Sequence, residues 1–193
     1  MGLNKSEGAF TVYLTVADGK LIRQHKQATA NTTERVTKTG KLVHEESFKD
    51  LKALLSDIET RENDYGKQWA VTIIDGEKRY VINLSASSRY ATSLLKCLPN
   101  LRLASPIKLL PWSMADKNDA TKKITGITLY QNYGDNWVKV APAYTRDAPN
   151  GLPEMIQVKI KGKLTWDSSD MDEFLEKMAK NLFNNIDNEE PPF

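Results

Sequence analysis

The 193-residue sequence predicts a mainly β fold with two helices, and three observations carry that prediction. Phe10, Val12, Leu14 and Val16 alternate with Thr11, Tyr13 and Thr15. Trp69, Val71 and Ile73 fall on one side of a second alternating segment, and Gly-containing turn signals separate such segments throughout. A period of two marks a strand with one buried face, because successive strand side chains point to opposite sides. With 40 % hydrophobic residues the chain can build a core without metal or disulfide staples.

In chain order, the first strand runs through residues 10–16. Ala17-Asp18-Gly19-Lys20 turns it into a hairpin with Leu21 to Gln27. Residues 28–41, rich in Thr and Lys, predict a loop or a weak edge ribbon, either a gripping arm or merely a flexible loop, with Arg35, Lys38 and Lys41 favouring the arm. Ser47-Phe48-Lys49-Asp50 resembles a helix-starting box, and Phe48, Leu51, Leu55 and Ile58 have helical spacing. A short helical turn is therefore expected there, followed by a strand from about Leu55. Turns at Asn63-Asp64-Tyr65-Gly66 and Asp75-Gly76 bound strands at Lys67–Asp75 and Lys78–Leu84, giving a three-stranded meander.

Ser85–Leu98 predicts a helix, capped by Ser87 or Ser88, with Tyr90, Leu94, Leu95 and Leu98 as its apolar stripe and Pro99-Asn100 as its end. Strands follow at Ile107–Trp112, Ile124–Gln131 and Asn136–Val140, then a Pro- and Asn-rich loop from Pro142 to Pro153. Met155–Trp166 alternates again, with Lys159, Lys161 and Lys163 on one side, Ile156, Val158 and Ile160 on the other, and Gly162 as a bulge. A C-terminal helix over 168–186 has Ser168 or Ser169 as cap, acidic Asp170, Asp172 and Glu173 in its first turn, and a stripe of Leu175, Met178, Leu182 and Ile186.

Three strands, a helix and two more strands is the order of an OB-fold five-stranded Greek-key barrel, with a helix between strands 3 and 4. Here it would carry extra N-terminal strands, a C-terminal helix and a disordered acidic tail. A β-sandwich with one helical excursion would give a similar string. The expected division is a binding domain with its N-terminal extension at 1–166, a helix at 167–186 and a tail at 187–193.

The formal net charge of +2 hides a split: residues 1–166 hold 25 basic and 17 acidic side chains, and residues 167–193 hold 2 and 8. A cationic body followed by an acidic end points to a polyanionic ligand. Cys97 is the only cysteine, and His25 and His44 are the only histidines, so the chain cannot form an internal disulfide or a Cys/His zinc cluster. A reducing, cytoplasmic setting is expected, without signal peptide or membrane span. No nucleophile elbow, P-loop or His-Glu-x-x-His motif is present, and Cys97 lies in a predicted amphipathic helix. The acidic cluster Asp57, Glu59, Glu62 and Asp64 fits a solvated face better than a metal site. No catalytic residue, metal or cofactor is expected.

The positive signal is cations interleaved with aromatics on predicted strands and the helix. The candidate residues for single-stranded nucleic acid are Lys67, Trp69, Arg79, Tyr80, Arg89, Tyr90, Lys108, Trp112, Lys122, Lys123, Tyr130, Trp137 and Lys139. Phosphates need spaced cations, and unpaired bases stack on aromatic faces whatever their sequence. The terminal Asp187-Asn188-Glu189-Glu190-Pro191-Pro192-Phe193 combines carboxylates, helix-forbidding prolines and a terminal Phe. Such a peptide suits a partner pocket that is apolar at its base and basic at its rim, which makes Asp187, Glu189, Glu190, Pro191, Pro192 and Phe193 candidate partner-binding residues.

The ending Glu-Glu-Pro-Pro-Phe resembles the acidic tip of bacterial single-stranded DNA-binding proteins. The body is similar to phage-type single-stranded DNA-binding proteins through Asp64–Trp69, Ser87–Ala91, Leu109–Trp112 and Pro149–Glu154. Pro191 stands where the bacterial tips usually have Ile, and the long Gly/Gln-rich linker of the bacterial tetramers is absent. The resemblance implies an OB fold that coats single-stranded DNA in replication, recombination or repair without catalysis, in the host cytoplasm if phage-encoded. It also implies a tail that recruits polymerase, helicase or nuclease partners. Two alternatives remain: an RNA-binding OB module, and a structural or assembly β-barrel.

Overall fold

The computed structural model describes residues 10–37, 39–64, 66–134, 136–160 and 162–184. The N-terminal alternation forms β1 (Thr11–Ala17), which buries Val12 and Leu14 and turns Tyr13 and Thr15 outward. Asp18 and Gly19 both have positive φ, 48° and 76°, as a two-residue hairpin turn into β2 (Lys20–His25) requires. The Thr-rich segment is an ordered ribbon: β3 (Thr33–Val36) pairs with β4 (Leu42–Phe48), and β4 pairs with β2. Arg35 of the expected arm is held by the Glu45 carboxylate through two hydrogen bonds of 2.8 and 2.6 Å.

The predicted helical turn at Ser47–Asp50 is corrected to the end of β4 and the corner into β5 (Leu51–Asn63). A bulge between Leu55 and Asp57 explains the misleading spacing. Ala53 and Leu55 point inward two residues apart, but the extra residue makes the next inward side chain Ile58. A three-residue step in a strand thus imitates a helical one. β5 then pairs with β6 (Gly66–Asp75), and β6 with β7 (Lys78–Ser85), as the expected meander.

The central helix is shorter than its stripe suggested. It consists of α1 (Arg89–Leu95), with the Ser88 hydroxyl accepting from the Ala91 amide, followed by a 3-10 turn at Leu98–Asn100. β8 (Ile107–Ala115), β9 (Lys123–Tyr133) and β10 (Asn136–Lys139) follow. Met155–Trp166 is corrected from one bulged strand to a hairpin of β11 (Ile156–Ile160) and β12 (Lys163–Asp167), with Gly162 in its turn at φ 83°. Lys159 pairs opposite Leu164, and Lys163 opposite Ile160, so these two lysines lie on opposite faces of the ribbon. Lys161 lies outside the described residues.

Ten strands form one mixed sheet in the order β10-β9-β8-β5-β6-β7-β1-β2-β4-β3, with β1 parallel to β7. The expected closed barrel is corrected to an open sheet. It nevertheless curls about one core, in which Val12, Leu14 and Leu21 from β1 and β2 meet Ile107, Leu109, Ile127 and Leu129 from β8 and β9. The β1–β2 turn seals one end. A Cβ at Gly19 would lie 2.6 Å from the Ser113 amide nitrogen, and the Gly19 amide donates to the Tyr90 hydroxyl at 2.9 Å.

α2 (Ser169–Asn184) buries Met171, Leu175, Ala179 and Phe183, a stripe one position off the expected one. Met178 and Leu182 pack at its margin. Phe174 meets Tyr144 edge to face at 5.5 Å. The expected stripe member Ile186 and the tail residues Asp187, Glu189, Glu190, Pro191, Pro192 and Phe193 lie outside the described residues. Among the described residues no helix is long and apolar enough to cross a membrane.

Candidate nucleic-acid interface

The core-facing positions Ile107 and Leu109 of β8 and Ile127 and Leu129 of β9 are apolar, so the outward positions decide what the sheet shows to solvent. Register places Lys52 of β5 opposite Lys108 of β8, Lys108 opposite Tyr130 of β9, and Tyr130 opposite Lys139 of β10. Four strands about 4.8 Å apart thus carry one row of three lysines and a tyrosine across the sheet. Trp137, two residues before Lys139, stands on the same face.

The row is drawn together by its rings. Lys108 Nζ lies 4.2 Å from the Tyr130 ring centroid and 5.8 Å from that of Trp137, while Lys52 Nζ lies 5.9 Å from Trp137. Directly opposed like charges destabilise a sheet, and each cation–π contact at a partly exposed site returns only about 0.5–1 kcal/mol. Among the described residues, none of Lys52, Lys108 and Lys139 has a carboxylate partner. The face therefore holds uncompensated positive charge beside aromatic surface.

Leu110 and Trp112 continue this face along β8. The Trp112 indole lies on the bare backbone of Gly126: a Cβ there would sit 2.6 Å from the indole Cζ2. Only glycine admits the ring at this point. Beside Trp112 an open groove of about 580 Å³ runs between the β1–β2 turn and the β4–β5 corner, with Lys20 and Lys49 on its rim. Asp18 on that rim is held by Lys123 at 2.5 Å, and the Lys123 hydrogen bond and charge keep the Asp18 carboxyl below its usual range.

Lys108, Trp112, Tyr130, Trp137 and Lys139 are thus brought together from the expected set. Trp69 is corrected to the core: it is 4 % exposed and offers no free ring face. Its partner Leu84 is equally buried, because both point inward from β6 and β7. Tyr80 also points inward and packs at the core margin, while Arg79 lies exposed on the outer side of β7. Tyr90 is half-buried and occupied by Gly19, and Arg89 is exposed on α1, away from the β8–β10 face.

Lys67 is engaged by Glu176 of α2, which also accepts from Thr60 at 3.2 Å and Lys180 at 2.8 Å. Burial alone would raise the Glu176 carboxyl, but the hydrogen bonds and charges of Lys180 and Lys67 overcome it and hold the group at about 2. Lys122 pairs with Asp119 at 3.0 Å. Three cations escaped the sequence argument. Lys52 was hidden by the bulge, and Lys20 and Lys49 join the face only because the β1–β2 turn folds onto β8.

Gln131, fully buried, fixes the loop before β8. Its Oε1 accepts from the Arg102 amide at 3.0 Å and its Nε2 donates to the Arg102 carbonyl at 2.5 Å. Arg102 then stacks over Tyr133 at 5.0 Å. Cys97 is buried, and burial pushes its thiol above the usual range. Asp57, Glu59 and Glu62 lie along β5, with Glu59 engaged by Arg61. Among the described residues no three His, Cys, Asp or Glu side chains gather to hold a metal. Comparison with protein-family models, with curated proteins and with solved structures finds no match.

Proposed function

We propose that the chain is a non-catalytic, sequence-independent single-stranded DNA-binding protein, and that the outer face of β5, β8, β9 and β10 is its binding surface. The observation that carries this is the row Lys52–Lys108–Tyr130–Lys139 with Trp137: three cations without a carboxylate partner among the described residues and two aromatic rings on one face, with Lys52 and Lys108 over the rings. Single strands present the complementary chemistry of phosphates and free base faces.

Ligand exchange on this face follows from its energetics. Without DNA, Lys52 and Lys108 lie over the rings. Phosphates draw the ammonium groups away, and bases take the vacated ring faces. A cation–π contact of about 0.5–1 kcal/mol is thereby exchanged for a base stack of about 1–3 kcal/mol together with a phosphate contact. No hydrogen bond to a base edge enters, so sequence has little influence.

The core that carries the face supports an OB-type reading. The strand order β9-β8-β5-β6-β7, with α1 between β7 and β8, has the neighbour order 5-4-1-2-3 of that barrel. Its bent first strand corresponds to the bulged β5, which serves both halves of the sheet. In this proposal the N-terminal strands are additions to that core, and the acidic end 187–193 recruits replication or recombination proteins.

A fluorescence titration with poly-dT, repeated over a salt series, tests the proposal. Tryptophan quenching is expected, with log affinity falling linearly against log salt by about 0.7 for each phosphate contacted. Absent or salt-independent binding refutes it. Equal or tighter binding to oligo-U turns the reading to RNA, and equal binding to duplex removes the single-strand assignment.

A further inference from the structure

The β11–β12 hairpin leaves the body between the Pro-rich loop and α2, and it packs on no other element beyond incidental contact among those described. Three of its apolar side chains are bare: Leu164 is 69 % exposed, Trp166 64 % and Ile156 56 %. A two-stranded ribbon alone is marginal in water, and bare apolar groups on one mark a surface that receives a ligand. At its foot lies a groove of about 490 Å³, whose walls include Arg89 of α1 and Lys96 at its C-cap, Thr125 of β9, Met155, Trp166 and Asp172.

Charge decides what kind of ligand. Arg89 and Lys96 stand on one wall without an ion-pair partner among the described residues, the Trp166 indole stands on the other, and exposed Lys159 and Lys163 flank the ribbon. The carboxylate in the wall, Asp172, accepts from the Ser168 hydroxyl at 2.8 Å at the start of α2. Position supplies the second argument. Thr125 in the groove immediately precedes Gly126, the glycine under the Trp112 indole; alternation turns the two to opposite sides of β9, so the groove lies near the start of β9 and a strand reaches it from the Trp112 indole by rounding that end.

We infer that this groove is a second single-strand subsite, in which a base stacks on Trp166 and the adjoining phosphates lie on Arg89 and Lys96, so that a strand leaving the β8–β10 face at Trp112 continues along the hairpin. The inference rests on the proposed DNA-binding function. It makes the protein's footprint longer than the sheet face alone provides, and it assigns a role to a ribbon that the core does not need.

The test uses the full chain and two oligo-dT ligands, of about 5 and about 20 nucleotides, the first near the lower end of the 4–16 nucleotides that one OB-type face covers and the second beyond its upper end. Trp166→Ala, and separately the double variant Arg89→Gln/Lys96→Gln, are each expected to weaken the long ligand about 5- to 100-fold. Binding of the short ligand is expected to stay within twofold, and thermal melting to be unchanged because Trp166 and Arg89 are exposed and the half-buried Lys96 has no ion-pair partner among the described residues.

Unchanged affinity for the long ligand in both variants overturns the subsite and leaves the sheet face standing. Equal weakening of both ligands also overturns it, since the groove is then no extension. Loss of self-association in Trp166→Ala with DNA affinity intact assigns the ribbon to a second copy of the chain instead. If the unaltered protein binds neither ligand, the functional proposal itself fails and the subsite falls with it.

Discussion

Replacing Lys52, Lys108 and Lys139 together by Gln separates a binding surface from an ordinary solvated one. Each lysine that contacts a single-strand phosphate contributes about 0.7 to the slope of log affinity against log salt, so the three together account for about 2. The triple variant should therefore bind poly-dT about 100-fold more weakly at 0.1 M salt and converge with the unaltered protein toward 1 M, where counterion release contributes nothing. Folding should respond in another way. Lys52 and Lys108 are directly opposed, so their removal relieves a repulsion of about 0.2–1 kcal/mol, while the lost contacts to Tyr130 and Trp137 cost about as much. The melting temperature should accordingly stay within about 3 °C of the original, given that about 1 kcal/mol moves a domain of this size by 2–4 °C. Fluorescence titration over a salt series and a thermal melt measure both quantities. Parallel salt lines for the two proteins, or a large fall in melting temperature, refute the argument.

Three further outcomes follow from the packing. Trp137→Ala should weaken poly-dT by about 1–3 kcal/mol with stability retained, whereas Trp69→Ala should cost about 3–5 kcal/mol of folding free energy in urea denaturation; the reverse pattern contradicts the facing assigned to the two strands. Gly126→Ala forces the Trp112 indole off its seat, so a shifted emission maximum and a loss of about 1–3 kcal/mol are expected, and an unchanged spectrum counts against the contact. The Glu176 carboxyl is held at about 2, below its ordinary 4.5, so its ion pairs contribute fully above pH 4.5 and are lost as pH falls toward 2. The stability difference between the unaltered protein and Glu176→Gln should be constant above pH 5 and vanish near pH 2; a difference independent of pH over that window contradicts the Lys67–Glu176–Lys180 arrangement.

Where alternation was regular, the sequence was enough. β1 lies where Val12 and Leu14 placed it, because a period of two with one buried face has a single solution; β6 and β7 also lie where Trp69, Val71 and Ile73 placed them, although Ala70, Thr72 and Val81 bury their second face as well. It failed at the Leu55–Asp57 bulge, where one unpaired residue converts strand spacing into apparent helical spacing, and Lys52 was lost from the site with it. Local pattern also could not identify which aromatics face solvent. Trp69 and Trp137 both stand beside lysines in sequence, and only the ladder partners, Leu84 for one and Asn132 for the other, distinguish core from surface. Lys20 and Lys49 belong to the face through a long-range approach of turn to strand, which no local signal records.

The parallel pairing of β1 with β7 also bears on the order of assembly. Thr11 and Arg79 are ladder partners, so the strand made first has no seat until the meander that ends at Ser85 exists. Synthesis at about 5–20 residues per second leaves β1 waiting for seconds, and closing so long a loop slows its docking further. During that interval its companion is β2, joined by the Asp18-Gly19 turn, and the hairpin's Thr11, Thr15, Arg23 and Gln24 keep the waiting segment hydrated. The N-terminal hairpin therefore docks only after the β5–β7 meander has formed, and damage to the Asp18-Gly19 turn should appear as slow folding or aggregation during synthesis before it appears as weakened function.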